Sequence, residues 1–223
     1  MRKKLFAQAV SKFALGVVLV GVLIFLPAGT IRFFRGWLLM GVLFIPMFLA
    51  GLVMLWKKPD LLQKRLRAKE KQREQNIVVK LSGLMFLAGF VLAGLDFRFG
   101  WIILPGWVSW LGTALFLLAY LLYAEVLREN TWLSRTIEVQ EGQEVIDTGL
   151  YGIVRHPMYS VTILLFLSMP LVLGSLVSLF VFLCYPFLII MRIRNEEDLL
   201  KAELIGYREY MDRVKYRLVP FVW

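Results

Sequence analysis

Long stretches without a charged residue constrain this chain more than any other feature of its sequence. They cover residues 13–31, 36–56, 81–95, 99–124 and 157–191 of the 223. An α-helix rises about 1.5 Å per residue and needs about 20 apolar residues to cross the hydrocarbon core of a bilayer. Such stretches therefore predict helices that lie in lipid. With 59% hydrophobic and 19% charged residues, the composition also excludes an ordinary soluble domain.

The apolar stretches divide into about six membrane segments. The first, second and fourth are single spans, and the third becomes long enough when residues 77–80 are added. The last is too long for one span. Pro170 and Gly174 interrupt it near the middle, so we expect two short helices, 158–173 and 175–191, that form a tight hairpin. The predicted fold class is all-α, a polytopic transmembrane helical bundle with a cytoplasmic C-terminal helix.

The distribution of Lys and Arg predicts the orientation in the membrane. Of the 26 Lys and Arg residues, 3 (Arg32, Arg35 and Arg98) lie in one set of alternating loops, and the other 23 lie in the termini and the two large polar segments. Because basic residues accumulate on the cytoplasmic side, we expect both termini and both polar segments in the cytoplasm and the protein in the inner cell membrane. This asymmetry also explains the net charge of +10 without a nucleic-acid partner.

Two further basic segments have simple interpretations. The loop 57–80, which carries Lys57, Lys58, Lys64, Arg65, Arg67, Lys69, Lys71 and Arg73, is expected to be a helix on the membrane surface or a holder of an anionic lipid. Arg2-Lys3-Lys4 before the first apolar stretch resembles a secretory signal, but no small-x-small cleavage site is clear after Leu26. We therefore expect an uncleaved first span.

Ionisable residues are nearly absent from the predicted spans. Proton relays and ion paths need intramembrane carboxylates or histidines, so an ion-conducting function is disfavoured. Asp96 stands at the end of a predicted span, two residues before Arg98, and we expect the two side chains to form an interfacial pair. Function is therefore expected on the cytoplasmic face.

Two cytoplasmic segments are expected to converge there. The first contains a short extended piece at 136–140 and a turn at Glu141-Gly142, and it ends with Arg155-His156-Pro157, where Pro157 would begin the next helix. The second is the tail, in which Arg192 and Glu196 share one helix face and Glu197 follows. Because the hairpin returns both of its ends to the same side, Arg155-His156 should lie close to Arg192, Glu196 and Glu197.

Such a site suits a zwitterionic ligand. Arg or His would bind its carboxylate, Glu its ammonium, and the nearby tyrosines a sulfonium centre. The residues permit S-adenosylmethionine without singling it out. No metal is expected, because the chain has 1 His and 1 Cys.

The motifs of these two segments resemble a known superfamily. Gly149-Leu-Tyr151-Gly-Ile-Val-Arg155-His156-Pro157-Met158-Tyr159 is similar to the G-x-Y-x-x-x-R-H-P-x-Y motif of the integral-membrane methyltransferases, the isoprenylcysteine carboxyl methyltransferase and phospholipid methyltransferase superfamily. The tail resembles the second signature of that superfamily: Arg192-x-x-x-Glu196-Glu197, Leu204-Ile-Gly206-Tyr207-x-x-Tyr210 and Arg217-Leu-Val-Pro220. Asn130-x-x-x-Ser134 and Gln143-x-Val-Ile-Asp-x-Gly149 are similar to its prokaryotic members.

The resemblance implies methyl transfer from S-adenosylmethionine to a lipophilic acceptor (a carboxylate, an amine or a thiol) at the cytoplasmic membrane face. It implies a catalytic set of Arg155, His156 and Glu196. It also implies a cofactor-binding set of Tyr151, His156, Pro157, Tyr159, Arg192, Glu196, Glu197 and Tyr207. The chain would then divide into a four-span region, 1–124, with the basic loop 57–80, and a methyltransferase-like region, 125–223.

Two other functions stay open at this point. A membrane reductase related to the sterol reductases would share the C-terminal architecture, although NADPH binding would call for a larger body than 223 residues. A non-enzymatic scaffold that docks partners is the third possibility. The sequence does not identify the methyl acceptor, a general base, the oligomeric state or the role of the first four spans.

Overall fold

The structure, a computed structural model, describes residues 2–66, 73–133 and 137–223. Within them the regular elements are helices. In chain order these are α1 (Arg2–Ala28), α2 (Phe34–Lys57), α3 (Pro59–Leu66), α4 (Arg73–Phe99), α5 (Gly106–Glu129), a 3₁₀ turn (Gly149–Gly152), α6 (Pro157–Leu173), α7 (Leu176–Phe182), α8 (Tyr185–Glu203) and α9 (Tyr207–Arg213). Arg67, Lys69, Lys71, Ser134 and Thr136, which entered the sequence predictions, lie outside the described residues, as do the side chains of Lys64 and Arg73.

The all-helical bundle is confirmed. In the described residues five stretches are long and apolar enough to cross a membrane, namely Lys4–Ala28, Phe34–Lys57, Gln75–Phe99, Gly106–Glu129 and Leu176–Glu203. The remaining predicted segment, the first half of the hairpin, is α6, which is apolar but has only 17 residues.

The start of the fourth span was predicted wrongly. The fourth span was expected in the uncharged stretch 99–124, but residues 100–105 of that stretch are not helical. Helix α4 continues to Phe99, and α5 begins only at Gly106. Gly100 has a φ of +65°, which ends α4. The backbone N–H of Leu104 donates to the carbonyl of Gly174 at 2.8 Å. The connection therefore packs against the turn of the C-terminal hairpin.

Asp96 does not pair with Arg98 as predicted. Its carboxylate is buried and accepts hydrogen bonds from the backbone N–H of Ile102, at 2.8 Å, and from the hydroxyl of Ser175. The Arg98 guanidinium lies instead over the ring of Phe99, 5.4 Å from its centroid. The buried carboxylate thus ties the end of α4 to the start of α7.

The hairpin turns where the sequence predicted. Gly174 adopts a φ of +70°, which permits the sharp reversal after α6. The second half is two helices rather than one, because the chain breaks at residues 183–184, just before Pro186 in the first turn of α8. The structure positions α6 and α8 so that the beginning of α6 faces the end of α8.

Close packing at small residues holds the hairpin against the bundle. A Cβ at Gly112 of α5 would lie 2.7 Å from the Cβ of Leu171, and one at Gly89 of α4 would lie 2.3 Å from the ring of Phe182. The absence of a side chain lets these helices approach each other closely, as is common in membrane bundles. The last residues of α6 therefore lie close against α5.

Candidate functional site

A cavity opens where the segment that follows α5 meets the beginning of α6 and the end of α8. We call it the connector cavity; its empty volume is about 840 Å³, part of it open to solvent. The sequence-predicted residues in its lining are Tyr151, Arg155, His156, Tyr159, Arg192, Glu196 and Tyr207. The structure therefore brings the two motif segments together around one space.

Two predicted residues do not line this cavity. Pro157 is buried as the first residue of α6, where its missing backbone N–H costs no helical hydrogen bond. Glu197 is 1% exposed and does not line the cavity. Their place in the structure is beneath the cavity, so we assign them to its support and not to its lining.

Glu197 joins three positively charged or ionisable side chains. Arg155 Nε donates to its Oε1 at 2.9 Å, and Arg217 Nε donates to its Oε2 at 3.0 Å. His156 Nε2 lies 3.3 Å from the same Oε1. Because the side chains of Glu197 and Arg155 are 2% and 4% exposed, this is a buried ion pair with nearly all of its polar groups satisfied. It fixes the two motif residues against α8.

The main chain of the segment that follows α9 completes this support. The backbone N–H groups of Arg155 and His156 donate to the carbonyls of Tyr216 and Arg217, both at 2.9 Å. Arg155 Nη1 also donates to the carbonyls of Val214 and Lys215, each at 2.8 Å. The segment after α9 therefore pairs with the motif along the main chain. Arg217 belongs to a predicted signature, but no role was predicted for it.

Glu196, one residue earlier, faces the cavity. The hydroxyl of Tyr159 donates to its carboxylate and accepts from Arg192 Nε, at 2.9 Å. The Tyr159 ring also stacks with the ring of His156, with centroids 5.8 Å apart. Tyr159 thus links the groups of α6 and α8 that were predicted to converge, and it presents one acidic and one basic side chain to the same space.

Two buried tyrosines complete one wall. The hydroxyl of Tyr207 is buried and makes no hydrogen bond to any described residue. Burial, together with the charges of Glu197 and Glu196, raises the pKa of Tyr207, so its hydroxyl stays protonated at neutral pH. Burial likewise raises the pKa of Tyr151. Tyr210, outside the predicted set, donates to the carbonyl of Tyr151 at 2.7 Å and holds that residue in place.

The segment after α5 supplies lining residues for which no role was predicted. They are Asn130, Trp132, Leu133, Ile137, Glu138, Gln143, Glu144, Val145 and Ile146. The extended piece predicted at 136–140 has no regular structure in residues 137–140. The predicted turn is present, since the backbone N–H of Gln143 donates to the carbonyl of Gln140 at 3.0 Å and Gly142 has a φ of +71°.

Glu129 fastens this segment to the first motif. Its carboxylate accepts from the backbone N–H of Leu150 at 3.0 Å. Gly149 has a φ of +52°, and a Cβ there would lie 1.5 Å from Glu129 Oε1. Glycine at this position is the sequence signal that could have located the contact, because it leaves space for the carboxylate.

The basic segment also reaches the site. Arg65 of α3 places its guanidinium over the ring of Tyr123, 5.4 Å from the centroid, and its Nη1 lies 3.8 Å from Met158 Sδ. Lys12 Nζ donates to the carbonyl of Leu66 at 2.6 Å. Arg65, near the end of α3, therefore lies beside Met158, which lines the connector cavity.

The cavity chemistry suits an organic zwitterion better than a metal. The lining combines arginine and glutamate side chains with tyrosines and aliphatic walls. In the described part of the chain, no three His, Cys, Asp or Glu side chains are grouped as a metal site would require.

Two comparisons show which known proteins this chain is similar to. A stretch of 91 residues, 40% of the chain, is 33% identical to the Delta(14)-sterol reductase TM7SF2 of Mus musculus, and the chain spans about a fifth (22%) of that protein's length. Residues 107–204 match the profile of the phospholipid methyltransferase family. This region runs from α5 to the end of α8, and its match confirms the resemblance to the integral-membrane methyltransferases that the motifs predicted.

Proposed function

We propose that this protein transfers a methyl group from S-adenosylmethionine to a lipophilic acceptor at the cytoplasmic face of the membrane. The observation that carries the proposal is that the connector cavity gathers Arg155, His156, Tyr159, Arg192 and Glu196 from two distant motifs. The match of residues 107–204 to a methyltransferase family supports the reaction class. The excess of basic residues in one set of loops supports the cytoplasmic side.

The lining residues fit this cofactor. Arg192 and His156 offer donors for its carboxylate, and Glu196 an acceptor for its ammonium. The unpartnered, protonated hydroxyl of Tyr207 needs an acceptor that described residues do not provide. Leu133 and Val145 offer an apolar wall for a planar base.

Most of the catalysis would be positioning. The cofactor supplies a methyl group on an electrophilic sulfonium centre, so the protein has to align the acceptor with it and keep water out. Arg192, Tyr159 and Glu196 form a hydrogen-bonded series that fixes the orientation of each side chain. Arg155 and Glu197 hold His156 from beneath. A carboxylate acceptor would need no base, whereas an amine or thiol would have to lose a proton.

Cofactor binding by purified protein tests the proposal. Calorimetric titration with S-adenosylmethionine should show binding that Glu196→Gln and His156→Ala abolish. Glu203→Gln, an exposed carboxylate at the end of the same helix, is the matched control and should bind as the parent protein does. Normal binding by both site variants would refute the site assignment. Incubation of membranes with a labelled methyl donor, followed by mass spectrometry of the lipid extract, would identify the acceptor.

A membrane reductase is the second candidate, favoured by the 33% identity to a sterol reductase over 91 residues. That reaction would draw reducing equivalents from NADPH. The same calorimeter distinguishes the two, because the reductase would bind NADPH and the methyltransferase S-adenosylmethionine. A scaffold would bind neither.

A further inference from the structure

A second hollow lies between α4 and α8, on another face of α8 from the connector cavity. We call it the α4–α8 hollow; its empty volume is about 1090 Å³, part of it open to the surroundings. Gln75 and Val78 line it from α4, and Arg194, Asn195 and Asp198 line it from α8. Nothing in the proposed methyl transfer uses these side chains.

Gln75 is the residue that indicates a ligand. It is 1% exposed, lines the hollow, and its Oε1 accepts no hydrogen bond from any described residue. Buried amide oxygens nearly always have a partner, because desolvation without one is unfavourable. A ligand with an N–H or O–H group would satisfy this oxygen.

The side chains of α8 define the rest of the ligand. Arg194 brings a guanidinium to the hollow, a group that binds phosphate or carboxylate oxygens. Asn195 can donate and accept, and Asp198, one turn beyond Arg194, adds a second acceptor beside its contact with Lys201 at 3.4 Å. Anion-binding and donor-binding groups therefore lie side by side.

The remaining lining is apolar. Val78, Met191, Leu199 and Ala202 contribute aliphatic or thioether surface, and both helices belong to stretches long enough to cross a membrane. A free anion in water would gain nothing from this surface, whereas an acyl chain would bury against it. The chemistry is that of a lipid headgroup with its chain.

We propose that the α4–α8 hollow binds a phospholipid whose headgroup carries an N–H or O–H donor beside its phosphate. Phosphatidylethanolamine and phosphatidylglycerol meet this requirement, and phosphatidylcholine, which has no such donor, does not. The site is separate from the connector cavity, but Leu199 lines both. A lipid in the hollow therefore contacts the helix that carries Arg192 and Glu196.

Lipid retention tests the proposal without any methyl donor. The full chain is purified in detergent, exposed to equal amounts of the three phospholipids, and the lipids bound after washing are measured by native mass spectrometry. The parent protein should retain phosphatidylethanolamine and phosphatidylglycerol over phosphatidylcholine. Gln75→Leu should lower retention of the first two by about five- to tenfold, the effect of one lost hydrogen bond. Gln63→Leu, at an exposed glutamine of α3, should change nothing.

A second variant keeps the test decisive if Gln75→Leu does not fold. Ala202→Trp, at an exposed position in the lining of the hollow, should obstruct part of the space and also reduce retention. Equal retention of all three phospholipids, or unchanged retention in both hollow variants, would overturn the proposal. Displacement by soluble phosphoethanolamine at equal concentration would refute the lipid part. Titration with S-adenosylmethionine should be unaffected in both variants, so failure of the proposed function would be seen separately.

Discussion

Removal of the Glu197 charge should destabilise the fold more than any other single change to an acid of α8. Its carboxylate is 2% exposed and compensates Arg155, whose side chain is 4% exposed. Breaking a buried pair by removing one partner typically costs about 3–5 kcal/mol, because the remaining charge is left in a poorly solvated place. Glu197→Gln keeps the shape and one acceptor oxygen, so we expect a loss of about 3 kcal/mol in the free energy of unfolding.

The measurement is unfolding of detergent-solubilised protein by sodium dodecyl sulfate, followed by far-ultraviolet circular dichroism. Glu203→Gln, an exposed acid on the same helix, should stay within about 0.5 kcal/mol of the parent. The double variant Arg155→Met with Glu197→Gln should lose less stability than the two single variants added together, since the deeply buried Arg155 charge is then no longer left without its partner. Additive losses, or equal stability of the two glutamate variants, would refute the reasoning.

Three further predictions test other parts of the architecture. Gly149→Ala should destabilise the fold by more than the roughly 1–2 kcal/mol that an alanine in the left-handed conformation costs, because its Cβ would meet the Glu129 carboxylate. Gly142→Ala is the control for the backbone cost alone, since Gly142 has a φ of +71° and no neighbour within 4 Å. Gly112→Ala should lower the thermal midpoint by forcing α5 from α6, whereas Gly83→Ala, in open space, should not. Because burial raises the pKa of Tyr207, the stability due to its neutral hydroxyl is fully present below the unfolded pKa of about 10. This stability is lost only as the pH rises through the higher pKa that Tyr207 has in the folded protein. Cofactor titrations should therefore show no decline from tyrosine ionisation up to about pH 10.

Hydropathy and helix-breaking residues were sufficient to predict most of the fold. Uncharged stretches located the long spans, Gly174 located the hairpin turn, and Pro157 located the beginning of α6. The error at residues 99–105 has a simple cause. An absence of charge predicts that a segment lies in lipid, but it does not predict that its backbone is helical. Gly100 and Pro105, which bound the connection there, were the stronger signals.

The candidate site was predicted as a meeting of two motifs. It was not predicted that Glu196 lines the cavity while Glu197 is buried. Consecutive helical residues are separated by about 100°, so adjacent glutamates face different directions, and in this structure only Glu196 lines the cavity. Ile189 and Ile193 are buried at 2% and 0% exposure, and Glu197 continues their four-residue spacing. That apolar stripe was the available signal that Glu197 belongs to the buried face.

The same geometry explains why Asp96 was matched with the wrong partner. Residues two apart on a helix point to nearly opposite sides, and since α4 continues to Phe99, the side chains of Asp96 and Arg98 cannot meet. The sequence did not indicate that the Ser175 hydroxyl would bind Asp96, because the two residues are 79 positions apart. A buried carboxylate has to be satisfied by groups that packing brings to it. At Asp96 and at Glu197 some of those groups come from distant parts of the chain, namely Ser175 for Asp96 and Arg155 for Glu197.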